Sequence, residues 1–300
     1  MTLEAPEQPA PPVSVVRRCL NCGSALPGRY CANCSQAADV HLPSARELLH
    51  EALEGITHSD SRLWRTLCLL WFKPGKLTQE YVAGRRASYL PPFRLYLVLS
   101  IIFFLVASVS NTHTTFVRFD DTTSKSGAPE SECASVYATK FAVTVFGRDW
   151  APRIKHACGE IARDNGANLF HLFVGTSPKA MFIFLPLIAF LHMLMYWRPR
   201  HRYAEHLLFF LHVHAFFFSV ITLAVLSADA AETWPSLNPV WRWVPLLLWS
   251  LPLYTVIAMR RVFGRSWAGT LLKAFALIVV YLVVLSITLV GVFVYAVLQL

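Results

Sequence analysis

Residues 205–226 read "EHLLFFLHVHAFFFSVITLAVL", and this run decides the fold. Its one acidic residue, Glu205, stands at the start, and no Lys or Arg follows. A helix rises about 1.5 Å per residue, so some twenty apolar residues cross the ~30 Å hydrocarbon core of a bilayer. In lipid the backbone must satisfy its own hydrogen bonds, and a helix does so within one segment. Outward from this run, further apolar stretches lie at about 92–109, 179–197, 240–259 and 271–298. With 55% hydrophobic and 15% charged residues, the composition departs from that of soluble proteins. The expected fold is an all-α integral membrane protein with five transmembrane helices.

The formal net charge is +9, and its placement suggests topology rather than nucleic-acid binding. Arg198, Arg200 and Arg202 lie between the second and third spans, and Arg260, Arg261 and Arg265 between the fourth and fifth. The stretch Ser227 to Pro239 has no Lys or Arg and carries Asp229 and Glu232. The positive-inside rule then puts the N-terminus in the cytoplasm and exports both residues 110–178 and the C-terminus. Tyr196, Trp197, Trp241, Trp243 and Trp267 fall near span ends, where interfacial anchors belong. Residues 1–16 lack a signal-peptide pattern and read as a disordered leader.

Residues 17–40 contain "CLNCGSALPGRYCANCS", two Cys-x-x-Cys pairs eight residues apart. In a reducing cytoplasm Cys19, Cys22, Cys31 and Cys34 stay thiols, and four thiolates close a tetrahedron around zinc. Gly23 and Gly28 ease the tight turns. A thioredoxin-type redox pair would need a strand–helix unit beside one Cys-x-x-Cys, and ferredoxin clusters use other spacings. A structural zinc ribbon is therefore expected, because four protein ligands leave no open position for catalysis.

Residues 41–90 suggest amphipathic helices on the membrane face. Ser44 and Glu47 have capping-box spacing, and Leu48, Leu49, Ala52, Leu53 and Ile56 recur at helical intervals. Leu63 to Phe72 is apolar but too short to span, so it is expected in the interface with Trp64 and Trp71 at headgroup level. The alternative is a core helix of a small cytoplasmic domain.

The run Cys19, Cys22, Gly23, Gly28, Tyr30, Cys31, Cys34, Gln36 resembles the opening of an uncharacterised bacterial membrane-protein family, domain of unknown function thirty-six sixty-seven. Arg65, Thr66, Pro74, Tyr81, Gly84, Arg86, Tyr89 and Pro91 match its second signature, "RT…P…Y..G.R..Y..P". Ser35 stands where such knuckles usually carry Gly, which implies strain in that turn. The resemblance implies a multi-pass protein of the bacterial inner membrane and assigns no reaction.

Other candidates have a plain reading beside a functional one. Cys133 and Cys158 fall in the exported stretch, where a disulfide is permitted, or they remain a free pair. Cys68 reads as a small hydrophobe. His192, His206, His212 and His214 lie in spans, where ionisable groups are costly and often functional. Yet His212 and His214 point about 160° apart on one helix, so a shared metal would need His192 or Glu205 from elsewhere. The plain reading is neutral histidines bonded to neighbouring helices. Arg85, Arg86 and Arg94 precede or open the first span and suit anionic lipid or partner contact, or simply hold the N-terminus inside.

No Walker loop, Gly-x-Ser-x-Gly, His-Glu-x-x-His or dinucleotide fingerprint occurs. Residues 1–94 hold eleven Lys or Arg against eight Asp or Glu, a surplus too small for strong attraction to nucleic acid. The expected role is a non-enzymatic, membrane-anchored interaction or regulatory protein whose ribbon docks a cytoplasmic protein. A transporter or channel component using Pro186, Pro245, Pro252 and the span histidines is the alternative, and a membrane enzyme the third.

Overall fold

The structure, a computed structural model, describes residues 17–39, 61–110, 144–145, 148–149, 151–164, 167–196, 201–234, 243–264 and 266–299. The leader, the expected helix at Ser44–Ile56, Cys133 and much of the stretch 110–178 lie outside the described residues. The short helices α1 (Ser61–Phe72) and α2 (Lys76–Val82) precede α3 (Pro92–Val109). A two-residue hairpin, β1 (Thr144–Val145) with β2 (Arg148–Asp149), leads to α4 (Ala151–Asp164). Then come α5 (Ala167–Met195), α6 (Tyr203–Thr233), a 3-10 turn (Val244–Trp249), α7 (Ser250–Phe263) and α8 (Trp267–Gln299). Among the described residues, five helical segments are long and apolar enough to cross a membrane: Pro92–Val109, Asn168–Met195, Tyr203–Ala231, Leu246–Phe263 and Trp267–Gln299. The chain is an all-α, multi-pass membrane protein.

The third span is the hub. Some 72% of its membrane window is buried against the other helices, compared with 17% for the fifth. A helix apolar on every side suits burial on every side. Lipid tails supply no hydrophobic drive between helices, so ring packing and buried polar contacts must hold the bundle. Phe103 of α3 stacks on Phe218 of α6 at 5.2 Å, Tyr254 of α7 stacks on Phe216 at 3.8 Å, and Phe184 of α5 meets Tyr281 of α8 edge-on at 5.2 Å. At one end of the bundle, Ser110 Oγ donates to Asp229 Oδ1 at 2.7 Å and ties α3 to α6.

Two spans differ most from the expected boundaries, for identifiable reasons. The second begins near residue 167 rather than 179, because His171, Thr176 and Ser177 dilute hydropathy without interrupting the helix. The Ser177 hydroxyl returns its own bond to the Phe173 carbonyl at 2.7 Å. The helix also continues through Pro178 and Pro186 instead of breaking. The fourth span is displaced toward the C-terminus. Pro245 stands at the start of the 3-10 turn, where a missing N–H leaves no intrahelical bond unmade, and Pro252 lies just after that turn passes into α7.

The helices before the first span are more than an interfacial layer. Leu70 of α1 and Leu77 and Tyr81 of α2 belong to the main core, and Trp71 turns inward to meet Phe216 edge-on at 5.5 Å. Trp64, Cys68 and Phe72 are exposed at four-residue intervals along α1. Of the two tryptophans expected at headgroup level, only Trp64 faces outward.

Candidate metal centre and its seat on the membrane domain

Two turns of the same shape bring the four cysteines together. Cys19 N–H donates to Ser24 O and Gly23 N–H to Cys19 O, both at 2.8 Å. Twelve residues on, Cys31 N–H donates to Gln36 O at 2.9 Å and Ser35 N–H to Cys31 O at 2.8 Å. Single bridges, Arg18 with Ala25 and Tyr30 with Ala37, close each knuckle. Both turns need a left-handed residue after the second cysteine: Gly23 has φ +76° and Ser35 φ +60°. Among the described residues Ser35 is the one non-glycine with positive φ. That bears out the strained turn implied by the resemblance.

The four sulfurs all lie within 4.8 Å of one another, with Cys19–Cys34 at 3.6 Å and Cys22–Cys31 at 3.5 Å. A tetrahedron with metal–sulfur bonds of about 2.3 Å has edges of about 3.8 Å, so the cluster can hold a metal ion. The thiols are electrically unequal. The hydroxyl and backbone N–H of Ser24 hold Cys22 down to about 6 from an ordinary 9.0, whereas burial pushes Cys34 up to about 11. A backbone hydrogen bond at Cys22 lowers Cys19. A cation at the centre would favour the thiolate on all four.

The cluster is seated on the membrane domain through Gln36. This half-turn residue is buried, and its Nε2 donates to Gly84 O at 2.8 Å. Its Oε1 accepts from Arg86 N–H and Ala87 N–H, each at 3.1 Å. Ser88 Oγ donates to Asn21 Oδ1 at 3.0 Å, so the first knuckle joins the same seat. The turn at Gly84, φ +87°, leads directly into α3. Thr66 of α1 steadies that lead from below: its Oγ1 accepts from Leu90 N–H at 3.0 Å and donates to Arg62 O at 2.7 Å.

On its other side the seat is pinned to the third and fourth spans. Thr78 Oγ1 and His212 Nδ1 share a hydrogen bond at 2.9 Å. Gln79 Nε2 donates to Arg261 O at 2.6 Å, and the Arg261 guanidinium donates to Pro74 O at 2.5 Å. Gly75, φ +73°, lies so close to α7 that a Cβ there would stand 2.8 Å from the Ala258 backbone. Glu80 takes Lys76 at 2.9 Å and is also ion-paired with Arg85. The Arg85 hydrogen bond, foremost, holds the Glu80 carboxyl down to about 2.

Residues 60–104 match the family described as Protein of unknown function (DUF3667). The matched stretch is α1, α2, the Gly84 turn and most of α3, the part of the chain that carries the seat. No curated protein and no solved structure matches the chain.

The remaining expected site residues are dispersed. Arg85 is engaged by Glu80, Arg86 lies over the Tyr81 ring at 5.0 Å, and Arg94 occupies the first turn of α3. His212 faces α2 while His214 faces α8, where its Nε2 meets Tyr281 OH at 3.2 Å, so the two diverge as their spacing requires. His192 and His206 meet through their Nδ1 atoms at 2.8 Å. Among the described residues the cysteines form the one group of three or more metal-ligating side chains that converge. Cys158 in α4 is disulfide-bonded, and its expected partner Cys133 lies outside the described residues. Gln36, Asn21 and Ser88 carried no expected role. Gln36 and Gly84 stand in the two halves of the family signature, which is the signal that could have joined them.

Proposed function

We propose that the chain is a membrane-anchored interaction or regulatory protein whose N-terminal ribbon is built on a structural zinc ion. The observation that carries the reading is the three-bond seat of Gln36 on the Gly84–Ala87 turn. It makes the metal-dependent fold of residues 17–39 part of the platform that enters the first span. A four-thiolate donor set with no fifth position favours zinc in a structural role. The outer face of the ribbon keeps Leu20 and Tyr30 exposed, 55% and 68%, and these supply the apolar anchors for a cytoplasmic protein partner. The ribbon, the seat and the basic loops at Arg202 and Arg260–Arg261 share one end of the bundle, the cytoplasmic side of a cell membrane in this reading. The weak positive balance of residues 1–94 argues against nucleic acid.

The transporter alternative has less support, because α5 stays helical through Pro186 and Pro245 stands at the start of the 3-10 turn. The test is metal analysis of the purified protein together with partner capture. About one zinc per chain is expected, lost in a Cys19→Ser/Cys34→Ser variant. Leu20→Ser/Tyr30→Ser should keep the zinc and release the captured protein. Full folding without any zinc, or capture indifferent to both pairs of substitutions, would overturn the reading.

A further inference from the structure

An apolar cavity of about 280 Å³ lies between α6, α7 and α8, on the side of the hub away from the seat. Phe210 and His214 form its inner wall, Thr255 and Val256 one flank, and Ala274 and Tyr281 the other. Ile278 and Leu282 line it and are also exposed on the outside of α8, so its mouth faces the lipid. Its polar groups are already used. His214 Nδ1 stands 2.9 Å from the Phe210 carbonyl and must donate to it, so Nε2 accepts from Tyr281 OH. A space of this kind does not hold water, which needs two or more polar partners, and left empty it would forfeit packing on every wall.

Arg260 stands one turn beyond the cavity and Trp267 two turns. Val256 and Arg260 are four residues apart on α7, and Trp267 and Ala274 seven apart on α8, so each pair shares a helix face. The Arg260 guanidinium lies 4.0 Å over the Trp267 ring; its Nη1 is buried with no hydrogen-bond partner among the described residues, and the residue as a whole is part-exposed. A part-exposed cation beyond an apolar slot is complementary to a lipid phosphate above a hydrocarbon chain.

We propose that this cleft is a binding site for one anionic glycerophospholipid, with an acyl chain in the cavity against His214 and Tyr281 and the phosphate at Arg260. The site lies apart from the metal centre and does not depend on it. The test uses the full chain in phosphatidylethanolamine vesicles containing either phosphatidylglycerol or phosphatidylcholine with a diazirine in the chain. Photo-adducts mapped by mass spectrometry should concentrate on Thr255 and Tyr281, with phosphatidylglycerol ahead of phosphatidylcholine. Ala274→Phe and Val256→Phe fill the slot from opposite walls, so one of them suffices if the other fails to fold. Either should abolish those adducts while adducts on the outward-facing Leu246 and Leu248 persist. Arg260→Gln should erase the preference between the two lipids. Adducts spread evenly over outward residues, or unchanged by a folded filler, would overturn the chain site. A phosphatidylglycerol preference that survives Arg260→Gln would overturn the headgroup assignment.

Discussion

The side chain of Gln36 reaches across 48 positions of sequence to hold the carbonyl of Gly84 at 2.8 Å, and its own oxygen takes the next two backbone N–H groups it can reach, those of Arg86 and Ala87. One carboxamide thereby fixes the ribbon against the turn that starts the first span. A side chain with both a donor and an acceptor at its tip is the chemistry that such a turn requires.

Gln36→Ala should loosen that joint without touching the metal. It leaves one carbonyl and two N–H groups without their bonds, a cost of about 1–3 kcal/mol. Hydrogen exchange at residues 84–88 should quicken while zinc content stays the same. Unchanged exchange would show that the seat is held by something else.

Ser35→Gly should tighten metal retention. A side chain at positive φ costs about 1–2 kcal/mol, more than the about 0.5–1 kcal/mol that glycine loses in chain entropy. More chelator should be needed to strip the metal from Ser35→Gly, and less from Ser35→Val. The reverse order would count against strain at this turn.

Gly75→Ala should be among the most damaging single-methyl changes in the chain. The added Cβ meets the Ala258 backbone at 2.8 Å, where no flexible side chain can yield, and the φ of +73° is itself unfavourable. A loss of about 2–3 kcal/mol in thermal unfolding of the detergent-solubilised protein is expected. Gly159→Ala in α4, with open space around it, is the control and should not destabilise.

Acid should weaken the α2 seat through Glu80. Its folded carboxyl is held at about 2 against an ordinary 4.5, so its stabilising contribution is complete above pH 4.5 and is lost as pH falls toward 2. Glu80→Gln should flatten the unfolding profile across that window and lower stability at neutral pH. An identical acid profile in wild type and Glu80→Gln would be falsifying.

Reporter fusions check the orientation. Fusions at residues 40 and 200 should read cytoplasmic, and those at residue 140 and the C-terminus exported. A cytoplasmic C-terminus would remove one of the five spans or add another.

The all-helical membrane class was legible in the amino-acid order alone, because a bilayer admits few ways to satisfy a backbone and apolar length is read in one dimension. The four-cysteine cluster was legible there too, since Cys-x-x-Cys turns are local and each makes its own knuckle. Divergence of His212 and His214 followed from helical period alone. Span ends were less legible, because hydropathy averages over side chains whereas a helix ends where its backbone bonds end: α5 runs through Ser177, Pro178 and Pro186. That the third span is the hub, that Trp71 turns inward onto Phe216 and that Gln36 sits on Gly84 became visible in the packed fold alone. These are contacts between segments far apart in the chain. Their partners are chosen by shape and by unpaired polar groups that meet only after the helices have packed, and no local period or spacing encodes that meeting.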